Sequence, residues 1–281
     1  YPFEYTWALD ISNFIFKFIS TLNGKNHKLI ILDADNTLWS GILGEDGINH
    51  IKVGNSGKGK YFKLFQKKLK KLKNRGIILS MCSKNNINDI VNVFKSKDMP
   101  LKFKDFTKVK ANWKQKSENI KLILNDLNLS EDNALFVDDS EFEIGQVKNF
   151  FPNLDTLLVP KDIKIFERLF EKAGNFQNFS ITKEDRKRTK LYQDEEKRKT
   201  EITKFRNADE YIKSLNINIL IKNNNKKNIK RLSQMTLKTN QFNTTTLRLN
   251  ESKIEKLIDN KNYLVSECSA EDKFGDYGII G

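Results

Sequence analysis

Two pairs of aspartates carry the chemistry in this sequence. Asp33 and Asp35 stand two residues apart directly after the apolar run Leu29–Leu32, and Asp138 and Asp139 follow the apolar run Asn133 to Val137 about a hundred residues later. Each run reads as a buried strand, and the four residues Leu29–Leu32 leave no polar face at all. Carboxylates at the end of a buried strand are costly without a partner, and hard oxygen ligands suit a divalent cation such as magnesium. If both strands belong to one parallel sheet, their carboxyl ends meet, which is also where such sheets bind ligands. Three or four converging carboxylates without a cation would repel one another. The competing reading of Asp33-Ala34-Asp35-Asn36 is a polar turn that caps the next element.

The intervening chain supplies further candidates. Ile77 to Cys82 is a second buried strand, and Ser83 after it can hydrogen-bond a phosphoryl oxygen or cap the helix that runs from Ile87 to Lys97. A lysine at a helix start opposes the helix dipole, so Lys116, just before the helix Ser117 to Asn128, is better explained by an anion nearby. Lys108, Lys110 and Lys114 compete for that role. Cys82 beside Ser83 is either a thiol nucleophile or an inert core residue.

The elements that position these residues alternate strand and helix. The region expected before the first strand, 1–26, is an aromatic helix or the tail of an upstream unit. Residues 27–179 form the α/β domain, with strands at Leu29–Leu32, Ile77 to Cys82, Leu101 to Phe106, Asn133 to Val137 and Asp155 to Val159. Gly41 to Gly47 reads as a tight hairpin or flap beside the first strand's end. Gly57-Lys58-Gly59-Lys60 is not a phosphate-binding P-loop, because the spaced first glycine and preceding strand are missing. A charged helical connector covers 180–214, and 215–281 is an incomplete α+β module.

The 281 residues suffice for one full domain and a smaller second one. A net charge of +14 could suit an acidic partner, but the lysines are dispersed, so no nucleic-acid footprint stands out. With no membrane-length apolar run or signal segment, a cytoplasmic protein without membrane partners is expected. Two cysteines, Cys82 and Cys268, argue against a disulfide framework. Tyr1 is not an initiator and Gly281 falls within an apparent strand, which reads as a piece of a longer polypeptide.

In order, Asp33-x-Asp35-x-Thr37, Ser83, a lysine and Asp138-Asp139 resemble the haloacid dehalogenase superfamily of phosphatases and phosphotransferases. More narrowly, Leu32 to Trp39, Cys82-Ser83-Lys84-Asn85-Asn86, Asn112-Trp113 with Lys116 to Asn119, Phe136 to Ser140, and Thr239-Asn240-Gln241-Phe242-Asn243 resemble its FkbH-like subfamily. The resemblance implies a three-layer Rossmann-like α/β fold with a small flap. It implies Asp33 as nucleophile, Asp35 as general acid and base, and Ser83 and Lys116 as the anion clamp. Magnesium would be held by Asp33, the Asp35 carbonyl, Asp139 and, assisting, Asp138. It further implies glyceryl transfer from the phosphorylated donor 1,3-bisphosphoglycerate to the phosphopantetheine arm of an acyl carrier protein, with Cys82 as a possible way-station. A phosphatase of a sugar or other small ester, and a non-enzymatic carrier-binding scaffold, are the alternatives. The order of elements after 215 resembles the start of an acetyltransferase-like (GNAT) module, without the residues that would cradle coenzyme A.

Overall fold

A computed structural model describes residues 5–22, 26–176, 183–238 and 244–281. The chain divides into two compact units, Tyr1–Ile181 with Asp185–Thr189, and Thr182–Glu184 with Lys190–Gly281.

The first unit is built on a five-stranded parallel sheet in the order β3-β2-β1-β4-β5, with β1 at Leu29–Leu32, β2 at Ile78–Ser83, β3 at Lys108–Ala111, β4 at Ala134–Asp138 and β5 at Asp155–Leu158. β1 lies centrally because all four of its residues are apolar and fully buried. Alternation then sorts the side chains. Ile30, Leu32, Leu79, Met81, Leu135 and Val137 share one core cluster with helices α3 (Gly59–Asn74), α4 (Ile87–Ser96) and α7 (Phe166–Ala173). Within it, the Phe65 ring meets Phe166 at 4.3 Å and Phe170 at 5.0 Å between centroids. On the opposite face α5 (Lys116–Leu127) and α6 (Glu141–Phe150) pack against each other, as right-handed crossovers require when the strand order reverses after β3. This is the three-layer α/β arrangement expected from the sequence.

Two elements differ from expectation. The third strand is Lys108–Ala111, whereas Leu101 to Phe106 holds a short 3-10 turn at Phe103–Asp105. Leu101 and Phe106 are buried as core plugs, and the true edge strand is half-exposed, so its lysines hide the pattern. The flap is a helix, α2 (Leu43–His50), kinked at Gly47 and closed by one antiparallel bridge between Ser40 and Lys52. A hairpin is ruled out because Ile42 starts an i to i+4 ladder with Asp46. Gly41 at its base has φ of 110°, and a Cβ there would press on Asp46 and Ile51. The N-terminal helix α1 (Tyr5–Leu22) is tied on by Lys17, which donates to the Gly174 carbonyl at 2.9 Å.

The second unit is α+β. It has a three-stranded antiparallel sheet, β6 (Asn218–Asn223), β7 (Ser266–Asp272) and β8 (Gly275–Ile279), in that order. Helices α9 (Ala208–Leu215), α10 (Ile229–Lys238) and α11 (Glu251–Asp259) accompany it, with most of α8 (Lys183–Ile202). Arg198 on α8 grips Asp272 through two bonds of 2.7 and 2.9 Å, and the Tyr277 hydroxyl donates to the same carboxylate. Among the described residues no helix is long and apolar enough to cross a membrane.

Candidate functional site

Strand register assembles the site. Leu32 is level with Met81 on one side and Val137 on the other, so the next residues Asp33, Cys82 and Asp138 form one row across three adjacent strands. The backbone of this row is fixed by the Asp33 N–H, which donates to the Val137 carbonyl at 2.9 Å. Because Leu32, Met81 and Val137 face the α3/α4 core, the following row faces α5 and α6.

Lys116, the first residue of α5, enters from that side and is 5% exposed. Its ammonium donates to Asp33 Oδ1 at 2.8 Å and to Asp138 Oδ2 at 2.5 Å. Asp138 also accepts the Ser140 N–H at 2.9 Å, which turns the chain into α6. The other expected lysines are engaged elsewhere, Lys108 and Lys110 both with Asp126. Lys114 is exposed.

Asp33, Asp138 and Asp139 each offer one oxygen within 4.8 Å of the others. Burial pushes the Asp33 carboxyl up to about 7, against the pull of Lys116 and reinforced by Asp138. Burial likewise raises Asp138 and Asp139. Burial alone would lower Lys116, but Asp33 and Asp138 outweigh it and hold its ammonium charged well above the usual lysine range. A lysine thus compensates two of three crowded carboxylates. The donor set is wholly hard oxygen, which fits the magnesium ion expected from the sequence.

Asp35 is turned away from this cluster, toward the flap. Its Oδ1 accepts the Trp39 indole N–H at 2.9 Å and the Leu43 N–H at 3.0 Å, and its Oδ2 accepts from the Asn85 amide at 2.8 Å. The Asp35 side chain therefore stands outside the carboxylate triad, and any part for it in metal binding falls to its main-chain carbonyl. Ser83 is 2% exposed and its Oγ accepts from the same Asn85 amide at 3.1 Å. Ser83 is the last residue of β2, and Asn86 occupies the cap position of α4.

Cys82 is fully buried with its Sγ 3.7 Å from the Lys116 carbonyl oxygen, and burial pushes its thiol far above the ordinary range. Of the two readings the sequence left open for Cys82, this burial favours the inert core residue over the thiol nucleophile.

Three residues given no part in the site from the sequence hold it together. Asn85 links Asp35 to Ser83. Trp39 orients Asp35. Asn36, in the left-handed region at φ of 50°, hydrogen-bonds Asp139 and accepts the Gly41 N–H at 3.0 Å. Asparagine enters this region more readily than most residues, so its place in the Asp35-Asn36-Thr37 turn was the one local signal for it. The stretch Thr239 to Asn243 lies outside the described residues.

No protein-family model matches the chain, and no curated protein sequence does. Among solved structures it is similar to the N-terminal part of a Bacteroides fragilis protein, a part that contains a phosphatase domain and was crystallised with Mg. Identity is 38%, the TM-score is 0.57, and the match covers 59% of this chain and 45% of that one. The chain therefore spans less than half the length of that structure. A second likeness, at 15% identity and a TM-score of 0.32, covers 47% of this chain and 93% of an HAD-family enzyme from Bacteroides thetaiotaomicron. The first likeness, over 59% of this chain, is thus to a structure that contains a phosphatase domain and bound Mg.

Proposed function

We propose that this chain is a magnesium-dependent phosphatase or phosphotransferase of the haloacid dehalogenase type, working through Asp33. The carrying observation is Lys116 held between Asp33 and Asp138 with Asp139 alongside, at the carboxyl end of a parallel sheet. The likeness to a phosphatase-domain structure complexed with Mg supports the same reading. Asp33, Asp138 and Asp139 would hold magnesium with the Asp35 carbonyl, and the ion supplies charge neutralisation for the phosphoryl oxygens.

The chain's own residues divide the remaining work. Asp33 gives Oδ1 to Lys116, and among the described residues no donor is bonded to Oδ2, which makes Oδ2 the attacking atom. Attack on phosphorus forms an aspartyl phosphate while the bond to the leaving oxygen breaks. Asp35 Oδ1 already accepts two N–H donors, so Oδ2 is the oxygen that carries the proton to the leaving group and later takes one from water. Ser83 and Lys116 bind the phosphoryl oxygens.

At finer grain the motifs resemble FkbH-like proteins. The proposal accordingly extends to glyceryl transfer from 1,3-bisphosphoglycerate to an acyl carrier protein in the cytoplasm, with the 215–281 region as the start of an acetyltransferase-like module. The small flap, a single short helix, supports a large partner. Burial of Cys82 argues against a part for it on the acyl path, so the carrier thiol would attack the acyl carbon directly, forming the thioester and releasing the acyl phosphate as inorganic phosphate, while Asp33 would remove the remaining phosphate ester to leave the glyceryl unit. Magnesium-dependent hydrolysis of an aryl phosphate, absent in Asp33→Asn, tests the phosphoryl chemistry and excludes a scaffold. Intact-mass measurement of a carrier protein incubated with enzyme and the acyl phosphate tests transfer; an unchanged mass leaves the small-ester phosphatase.

A further inference from the structure

Beyond the row of Asp33, Cys82 and Asp138 lies a second lysine that the reaction above does not use. Lys84 follows Ser83 at the end of β2, and its ammonium sits 2.6 Å from Glu143 Oε1 in the first turn of α6. β2 and β4 flank β1, so their ends are two strand spacings apart, about 9.5 Å. The ion pair therefore reaches across the end of β1, the strand that Asp33 directly follows. Glu143 and Lys116 both act on the Cys82 thiol, together with Asp33 and Asp138, which places the pair in the same neighbourhood.

The two ends of the pair are unequal. The Glu143 side chain is 7% exposed, whereas that of Lys84 is 38% exposed. Glu143 Oε2 is buried and has no hydrogen-bond partner among the described residues. Leaving a buried carboxylate oxygen unpaired is unfavourable, so the acid is not placed there for stability alone. An ammonium has three donors, and Glu143 occupies one of Lys84's, while Lys116 already serves two carboxylates. Lys84 is a solvent-open cation with donors to spare at this edge of the sheet.

We infer that Lys84 binds an anionic group of the substrate beyond the reacting phosphoryl group, and that Glu143 is the positioning residue that holds its ammonium there. The preferred substrates are then phosphate esters or acyl phosphates that bear a second acid group, a carboxylate or another phosphate. This rests on the phosphoryl-transfer reading of Asp33.

The test compares phosphoglycolate with its uncharged carboxamide, two esters that differ in the second acid group. Wild type is expected to favour the acid in kcat/KM. Lys84→Met should reduce that preference by about tenfold or more, the usual size for a charge-assisted hydrogen bond, through KM rather than kcat. Lys84→Arg should retain most of it, and Glu143→Gln should lower it with little change in melting temperature. An equal loss for both esters in Lys84→Met overturns the inference. If wild type turns over neither, the phosphatase reading is what fails. Calorimetric binding of the two compounds then decides the role of Lys84, and equal affinities in wild type and Lys84→Met overturn it.

Discussion

The Asn85 amide donates to Asp35 Oδ2 at 2.8 Å and reaches Ser83 Oγ at 3.1 Å, so one side chain sets the spacing between Asp35, the proposed proton carrier, and Ser83, the proposed anion-binding hydroxyl. Asn85→Ala should therefore lower kcat about tenfold to a hundredfold, the worth of one to two positioned hydrogen bonds. Its melting temperature should stay near wild type. Turnover of an aryl phosphate checks this, and a variant that keeps full kcat removes Asn85 from the mechanism.

Lys116→Met strips the cation from two buried carboxylates. In chelator it should lose about 3–5 kcal/mol of stability, the penalty for breaking a buried pair from one side. Millimolar magnesium should restore part of that. Urea unfolding with and without the ion gives the comparison, and a variant as stable as wild type in chelator contradicts the account.

Magnesium should stabilise the wild type, by about 2.7 kcal/mol when present at a hundred times its dissociation constant. Asp139→Asn should weaken the effect, since Asp139 is one corner of the triad. A thermal melt read at rising magnesium separates the two proteins; identical shifts would falsify the assignment of Asp139.

Acid should unfold the first unit partly through Asp105. This carboxylate is 1% exposed and takes bonds from Lys70, from Lys73 at 2.7 Å and from the Lys102 N–H at 2.8 Å. Burial works against it, but Lys70 and Lys73 hold its pKa below the usual carboxylate value. Its contribution is therefore complete above the unfolded value, about 4, and is lost as pH falls through the lower folded value. Asp105→Asn should be less stable at pH 7, by about 2–3 kcal/mol, and show a flatter stability profile at low pH. Parallel acid slopes in variant and wild type would count against this.

Cys82→Ala should keep kcat within about twofold and lose about 1 kcal/mol of stability for a small buried side chain. The native thiol should resist iodoacetamide until the protein unfolds. Rapid alkylation of the folded protein, with loss of activity, would return Cys82 to the reaction.

The central sheet was legible because Leu29–Leu32 and Ala134–Val137 are unbroken apolar runs, and residues after such runs must gather at one edge. Lys116 was legible through its unfavourable place at a helix start. The edge strand was not, because Lys108–Ala111 alternates charged and small residues, while Leu101 and Phe106 are buried without a ladder. Nor were Asn85 and Trp39, since the direction of a side chain leaving a strand end depends on the partner it finds, here Asp35, and no local pattern records that. Cys82 could be placed beside Ser83 by spacing, but only the register that sets it level with Asp33 and Asp138, under α5, shows it sealed.

The Leu43 N–H, first residue of the flap helix, is bonded to Asp35 itself. The flap is thus also a support of Asp35, the proposed proton carrier, and swinging it away would break that bond. An insertion that enlarged the flap to recognise a different substrate would tug on Asp35 at the same moment. If Lys84 and Glu143 read the substrate as inferred, selectivity would be retuned more safely at α6, from which no side chain among the described residues bonds Asp35.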